Sequence, residues 1–134
     1  MKQRDYNIIP DTLTEDEMEL LFALSTQREY LNGEIVFNEM SIADSMYIIA
    51  KGHVDILHAG ADESRKIATL REGGFLGEMA LLGDSRRNAT AQAVGSVVLW
   101  EIGREMFASL LENDRLLADK LMKSNRERGG DLTS

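Results

Sequence analysis

The spacing of apolar residues changes period along the chain, and each change marks an element. Met18, Leu21, Phe22 and Ser25 fall at helical spacing, with Leu20 and Leu24 widening the apolar stripe. A helix is expected over residues 13–26. Thr14 is placed to cap it, Glu17 to complete a capping box, and Leu13 with Met18 to form a hydrophobic staple. From Arg28 to Leu70 the period falls to two. Ile35 to Phe37, Met46 to Ile49, His53 to Leu57 and Arg65 to Leu70 read as strands. Asn32-Gly33, Lys51-Gly52, His58-Ala59-Gly60 and the polar loop Ala61 to Ser64 read as the turns between them. Two further strands are expected at Asn88–Val94 and Val97–Ile102, turning at Gly95-Ser96, with Trp100 facing the core. Met106, Phe107, Leu110 and Leu111 restore helical spacing, and Asn113-Asp114 interrupts it. A last helix carries Leu117 and Leu121 and ends in Lys123, Arg126 and Arg128 before Gly129-Gly130. Short strands at regular spacing with glycine turns indicate a sandwich or barrel, so the fold class is mainly β with flanking helices.

Composition narrows this picture. A chain of 134 residues, 43% hydrophobic and 28% charged, has room for one core, and no repeat or composition shift divides it. A single domain over residues 1–134 is expected. Cysteine is absent, which excludes a disulfide framework and a thiolate metal site and fits a reducing compartment. The formal net charge of −8 makes the domain a poor binder of duplex DNA, so no direct nucleic-acid contact is expected. It also means that any site for an anion must be locally positive. The first residues, MKQRDYNIIPD, lack the apolar centre of a signal peptide, and no apolar run reaches membrane-spanning length. A soluble, cytoplasmic protein is the expectation.

Candidate chemistry gathers in Phe75 to Ala91, FLGEMALLGDSRRNATA. A glycine-rich turn, Gly73 to Gly77, opens onto the short apolar run Glu78 to Leu82, and Gly83-Asp84 stops it. A helical turn that starts in this way directs free N–H groups and the positive end of its dipole outward, which suits an anion such as phosphate. Arg86 and Arg87 follow, and a guanidinium fork matches phosphate oxygens. Glu78 either caps the short helix or accepts hydrogen bonds from sugar hydroxyls.

The pattern Phe75-x-Gly77-Glu78-x-Ala80-Leu81-Leu82, then Arg87-x-Ala89-Thr90 after a short gap, resembles the phosphate-binding cassette of the cyclic nucleotide-binding domain. Leu31-x-Gly33-Glu34 and Asp44-Ser45-Met46-Tyr47-x-Ile49-x-x-Gly52-x-Val54 resemble the first half of that family's β-roll. The resemblance runs from about Leu13 to Arg128. It implies an antiparallel β-roll, or jelly roll, over residues 28–102, with an internal cassette helix within 75–90 and C-terminal helices over 104–128. It further implies a regulatory, non-catalytic sensor whose ligand is cyclic AMP or cyclic GMP. By position, Arg87 pairs with the cyclic phosphate and Glu78 with a ribose hydroxyl. Leu76 and backbone N–H groups around Gly77, Met79, Ala80, Asn88 and Ala89 complete the shell, and Ile56 and Ala68 face the base. Phe107 matches the hinge, and Lys123 or Arg126 covers the base as the last helix closes.

The departures are informative. Met40 stands where the family usually has glycine, Ile42 near a usual proline, and Arg86 in place of the proline before the arginine. Asn88 is neither the alanine common in cyclic AMP binders nor the threonine common in cyclic GMP binders; cyclic AMP is the expected ligand. Only Asp131 to Ser134 follow Gly130, too few for a helix-turn-helix, so the chain is read as a standalone sensor or as one domain of a longer protein. A homodimer through the C-terminal helices and a separate effector domain both remain open. A degenerate roll that binds no nucleotide and serves as a structural or dimerisation module is the alternative, against which Glu78 and Arg87 both count. A metal-dependent jelly-roll enzyme built on His53, His58 and Glu78 is the remote one. The two histidines are an odd number of positions apart and so alternate to opposite faces, and no metal is expected.

Overall fold

The computed structural model describes residues 14–59, 64–77, 86–117 and 119–120. Helix α1 spans Glu15–Leu24, and the chain then runs through β1 (Thr26–Tyr30), β2 (Ile35–Phe37), β3 (Ser45–Ala59), β4 (Ser64–Leu70), β5 (Phe75–Leu76) and β6 (Thr90–Gly103) into helix α2 (Arg104–Asn113). All pairings are antiparallel. The sheet order is β1-β6-β3-β4, with β2 also on β6 and β5 also on β3. This is a mainly antiparallel β-roll flanked by helices, as the resemblance implies. Leu13, the cassette helix, Leu121 and the basic end at Lys123, Arg126 and Arg128 lie outside the described residues.

Helix α1 begins as its sequence dictates. Thr14 Oγ1 accepts the Glu17 N–H at 3.1 Å, and Glu17 Oε1 accepts the Thr14 N–H at 2.9 Å, which closes the capping box. Glu17 Oε1 also accepts from Lys120 Nζ at 2.8 Å, tying α1 to the helical residues after Asp114. The helix is shorter than expected. Ser25 turns its hydroxyl and its N–H back onto the Phe22 carbonyl, and Thr26 already pairs with Glu101 in the sheet. A β-branched residue with a strand partner leaves the helix for the sheet.

Four expected strands are in fact two long ones. Lys51-Gly52 and Gly95-Ser96 are not turns between strands; they are irregularities within β3 and β6, which stay paired from Ser45↔Gly103 to Leu57↔Thr90. Gly52 and Gly95 have φ of 94° and 70°. At Gly52 a Cβ would stand 2.5 Å from the Ser96 carbonyl oxygen, so a second glycine-dependent bend lies against the first. Local sequence cannot tell a bulge in a bent strand from a turn, since both require positive φ. The pairing partner decides.

Alternation along these strands divides the apolar residues into two clusters. Tyr47, Ile49, Ile56, Leu76, Ala89, Ala91 and Leu99 fill the interior of the roll together with Phe37. Met46, Ile48, Phe75, Trp100 and Ile102 point the other way and pack against Met18, Leu21, Phe107, Leu110 and Leu117 of the helical layer. Trp100 is buried there, as expected, with the Phe22 ring edge-on at 4.9 Å between centroids. Asp114 ends α2, and its carboxylate accepts the Leu117 N–H at 3.1 Å, which starts the next helical segment.

The turn before β3 takes a glycine-like backbone although it lacks glycine. Met40 adopts φ of 73°, the only non-glycine among the described residues with positive φ. Its N–H donates to the Arg87 carbonyl at 2.6 Å, and the Arg87 N–H donates to the Ser41 carbonyl at 2.9 Å. These two bonds hold Met40 in a conformation that costs a residue with a Cβ about 1–2 kcal/mol. Its side chain is 63% exposed, so little packing offsets that cost. Met40→Gly is therefore expected to stabilise the domain by about 0.5–1 kcal/mol, after the entropy glycine loses on folding. A thermal melt checks this, and an unchanged or lower midpoint would show that the Met40 side chain contributes more than its exposure indicates.

Candidate functional site

The Arg87 guanidinium is the centre of the site. Arg87 is 1% exposed and is one of the largest fully buried side chains of the molecule. Nη1 donates to the Gly77 carbonyl at 3.1 Å and Nη2 to the Ser45 carbonyl at 2.6 Å. Its Cζ lies 4.1 Å from the centroid of the Phe37 ring and 6.0 Å from that of Tyr47. Among the described residues Nε is buried with no hydrogen-bond partner, and no carboxylate forms an ion pair with the group. Burial pulls its pKa below the ordinary value, with Tyr47 and Asp44 acting the other way. A guanidinium keeps its proton in proteins, so the site holds a buried, incompletely paired positive charge within an acidic chain.

Gly77 makes room for it. Gly77 has φ of 83°, and a Cβ there would stand 2.0 Å from Arg87 Nη1. Conformation and space both require glycine, and the carbonyl it presents is one of the two that hold the guanidinium. Arg86 differs sharply from its neighbour. It is exposed, and its Nη1 donates to the Met40 carbonyl at 3.0 Å, on the outer side of the same turn.

The other predicted site residues fall into four groups. Leu76, Ile56 and Ala89 are buried in the roll interior, and the half-buried Ala68 packs on the same cluster. Ile56 and Ala68 are direct cross-strand partners, so their juxtaposition is a property of the sheet register. Asn88 is exposed, with its carbonyl 3.2 Å from His58 Nδ1. Phe107 is buried on the helical side, in the cluster that contains Phe75. Glu78, Met79, Ala80, Lys123 and Arg126 lie outside the described residues. Among the described residues no three His, Asp or Glu side chains are grouped to hold a metal ion.

Sequence reasoning missed the groups that hold Arg87 from β2 and β3: Phe37, Ser45 and Tyr47. It also missed Glu101 on β6, whose carboxylate accepts from Ser45 Oγ at 2.8 Å, from Tyr47 Oη at 3.4 Å and from Arg28 Nε at 2.6 Å. A signal was present. Glu101 is the one charged residue in the otherwise apolar run Val97 to Ile102, and it shares the inward phase of Leu99.

The family profile of the cyclic nucleotide-binding domain matches residues 27–114. The cyclic AMP receptor protein of Thermus thermophilus is 32% identical over 124 residues, an alignment covering 90% of this chain and 57% of that protein. The cGMP-dependent protein kinase egl-4 of Caenorhabditis briggsae is 36% identical over 103 residues, covering 74% of this chain and 14% of the kinase. The crystal structure of the Thermus thermophilus catabolite activator protein superposes with a TM-score of 0.78 at 29% identity, over 91% of this chain and 59% of the other. This chain belongs to the cyclic nucleotide-binding domain family. It spans a little over half of the receptor protein and a small fraction of the kinase. The family is a regulatory one and generally non-catalytic. Among the described residues no helix is long and apolar enough to cross a membrane.

The site also generates a pH prediction. Burial is the main cause that pushes the Tyr47 phenol from 10.0 up to about 12. A raised phenol pKa means that the protonated form favours the fold. That contribution is fully present below pH 10.0 and is lost as pH rises through about 12. Alkaline spectrophotometric titration of the folded domain is expected to show Tyr47 ionising last, after Tyr30, whose phenol burial also raises, and Tyr47→Phe is expected to remove that last wave. Ionisation of every tyrosine near the ordinary value, with the fold intact, would overturn it.

Proposed function

We propose that this domain senses a cyclic nucleotide, cyclic AMP in preference to cyclic GMP, and transmits occupancy through its C-terminal helices. The observation that carries the reading is the buried Arg87 guanidinium, whose Nε has no partner among the described residues. An unpaired buried charge is costly, and a phosphate is the anion whose oxygens match a guanidinium fork. The phosphate binds at Arg87, with backbone N–H groups around Gly77, Met79, Ala80, Asn88 and Ala89 completing its shell. Glu78 takes the ribose hydroxyl, and the base lies along Leu76, Ile56 and Ala68. The names of the relatives point to both nucleotides, a cyclic AMP receptor and a cGMP-dependent kinase. Asn88 lacks the threonine hydroxyl that the resemblance associates with cyclic GMP, which favours cyclic AMP. Calorimetric titration tests the anchor. Removing an arginine from a desolvated anion typically costs about 2–5 kcal/mol, so Arg87→Ala is expected to weaken binding roughly thirty-fold to several thousand-fold. Arg86→Ala is expected to do much less, because its guanidinium rests on a surface carbonyl. Equal losses would place the phosphate elsewhere, and a parental domain that binds neither nucleotide would favour a purely structural roll.

Transmission has a physical route in β5. Its two residues are adjacent in the chain but belong to different clusters: Leu76 to the roll interior, Phe75 to the layer with Phe107, Leu110 and Leu117. A shift at Gly77 that follows phosphate therefore moves Phe75 against α2, and Lys123 or Arg126 closes over the base. Amide hydrogen exchange from Arg104 onward is expected to slow at saturating cyclic AMP. Unchanged exchange there would leave a binder without transmission.

A further inference from the structure

Arg87 does not hold itself in place. Two of the groups around it, the Ser45 carbonyl and the Tyr47 ring, belong to residues whose side-chain oxygens both meet Glu101. Glu101 pairs across the sheet with Tyr47 on one side and with Thr26 on the other, on the inward phase of β6. Oε1 accepts from Arg28, and Oε2 accepts from Ser45 and Tyr47. Burial acts to raise the carboxyl pKa, but the hydrogen bonds from Arg28 and Ser45 outweigh it and hold the pKa below the usual carboxylate range. The group is therefore a carboxylate at neutral pH. Ser45 is 2% exposed, and it is gripped through its hydroxyl while its carbonyl grips Arg87 Nη2.

The arrangement has a chemical logic. A carboxylate paired directly with Arg87 would compete with an incoming anion for the same N–H groups. A carboxylate one serine away fixes the carbonyl and keeps its field at the guanidinium, yet leaves the anion-facing donors free of a counter-ion. We propose that Glu101 and Ser45 act as a positioning pair that sets the orientation of the Arg87 guanidinium and thereby the affinity of the anion site. The proposal rests on the reading of Arg87 as the phosphate anchor. Arg28 steadies the pair from the solvent side, with its side chain 54% exposed.

Ser45→Ala, Glu101→Leu and Glu101→Gln test the pair by two measurements. The first is calorimetric affinity for cyclic AMP. Loss of one well-made hydrogen bond to a charged group corresponds to about tenfold, so Ser45→Ala is expected to weaken binding by that factor. Glu101→Leu is expected to weaken it at least as much. Glu101→Gln, whose amide oxygen still accepts the Ser45 hydroxyl, is expected to recover part of the loss. The second measurement is nitrogen NMR of the Arg87 guanidinium in the ligand-free domain, where rotation about Cζ–Nε is expected to speed up in Ser45→Ala. A merely structural role would lower the melting temperature without changing that rotation. Ser45→Ala deletes one buried oxygen and leaves the sheet pairing alone, so it reports even if a Glu101 variant does not fold. Parental affinity together with parental guanidinium rotation in Ser45→Ala would overturn the pair. If the parental domain binds no cyclic nucleotide, the functional reading falls, while the ligand-free rotation still decides the positioning.

Discussion

A guanidinium that is almost wholly removed from water governs this structure. Moving a charge from water into a protein interior costs several kcal/mol unless its surroundings compensate. Here the compensation comes from two carbonyls, two aromatic faces and a carboxylate acting through a serine. Each of these groups makes a demand on the fold. Gly77 must be glycine, β3 must begin at Ser45, and the turn at Met40 must accept an unfavourable backbone so that its amide meets the Arg87 carbonyl.

The two clusters give the charge its reach. The interior of the roll holds the residues proposed to face the ligand, and the helical layer holds Phe107 and Leu117. The described contact between them is made by strands whose successive side chains point to opposite sides, above all the two-residue β5. A close-packed interior transmits displacement because it has few voids to absorb it. Phe75 and Leu76, the two residues before Gly77, thus lie in different clusters through strand alternation alone. The same alternation places Glu101 inward beside Tyr47 while its neighbours Trp100 and Ile102 face the helices.

What the sequence determined by itself was local. Thr14 and Glu17 wrote the start of α1, because a capping box needs only residues three positions apart. The two-residue period marked the strands and their buried faces, and the cassette pattern singled out Arg87 over Arg86, which the structure separates as buried and exposed. Tertiary structure decided the rest. Whether Lys51-Gly52 and Gly95-Ser96 are turns or bulges depends on which strand lies opposite, and that is invisible along the chain. The end of α1 was settled by a partner on β6, more than seventy residues away. Arg87 as the candidate anchor could be read from its neighbours in sequence, but its supports could not. Phe37, Ser45, Tyr47 and Glu101 come from three strands and meet only because the roll folds β3 back against β6. A period of two says that Glu101 points inward; only the register says what it meets there.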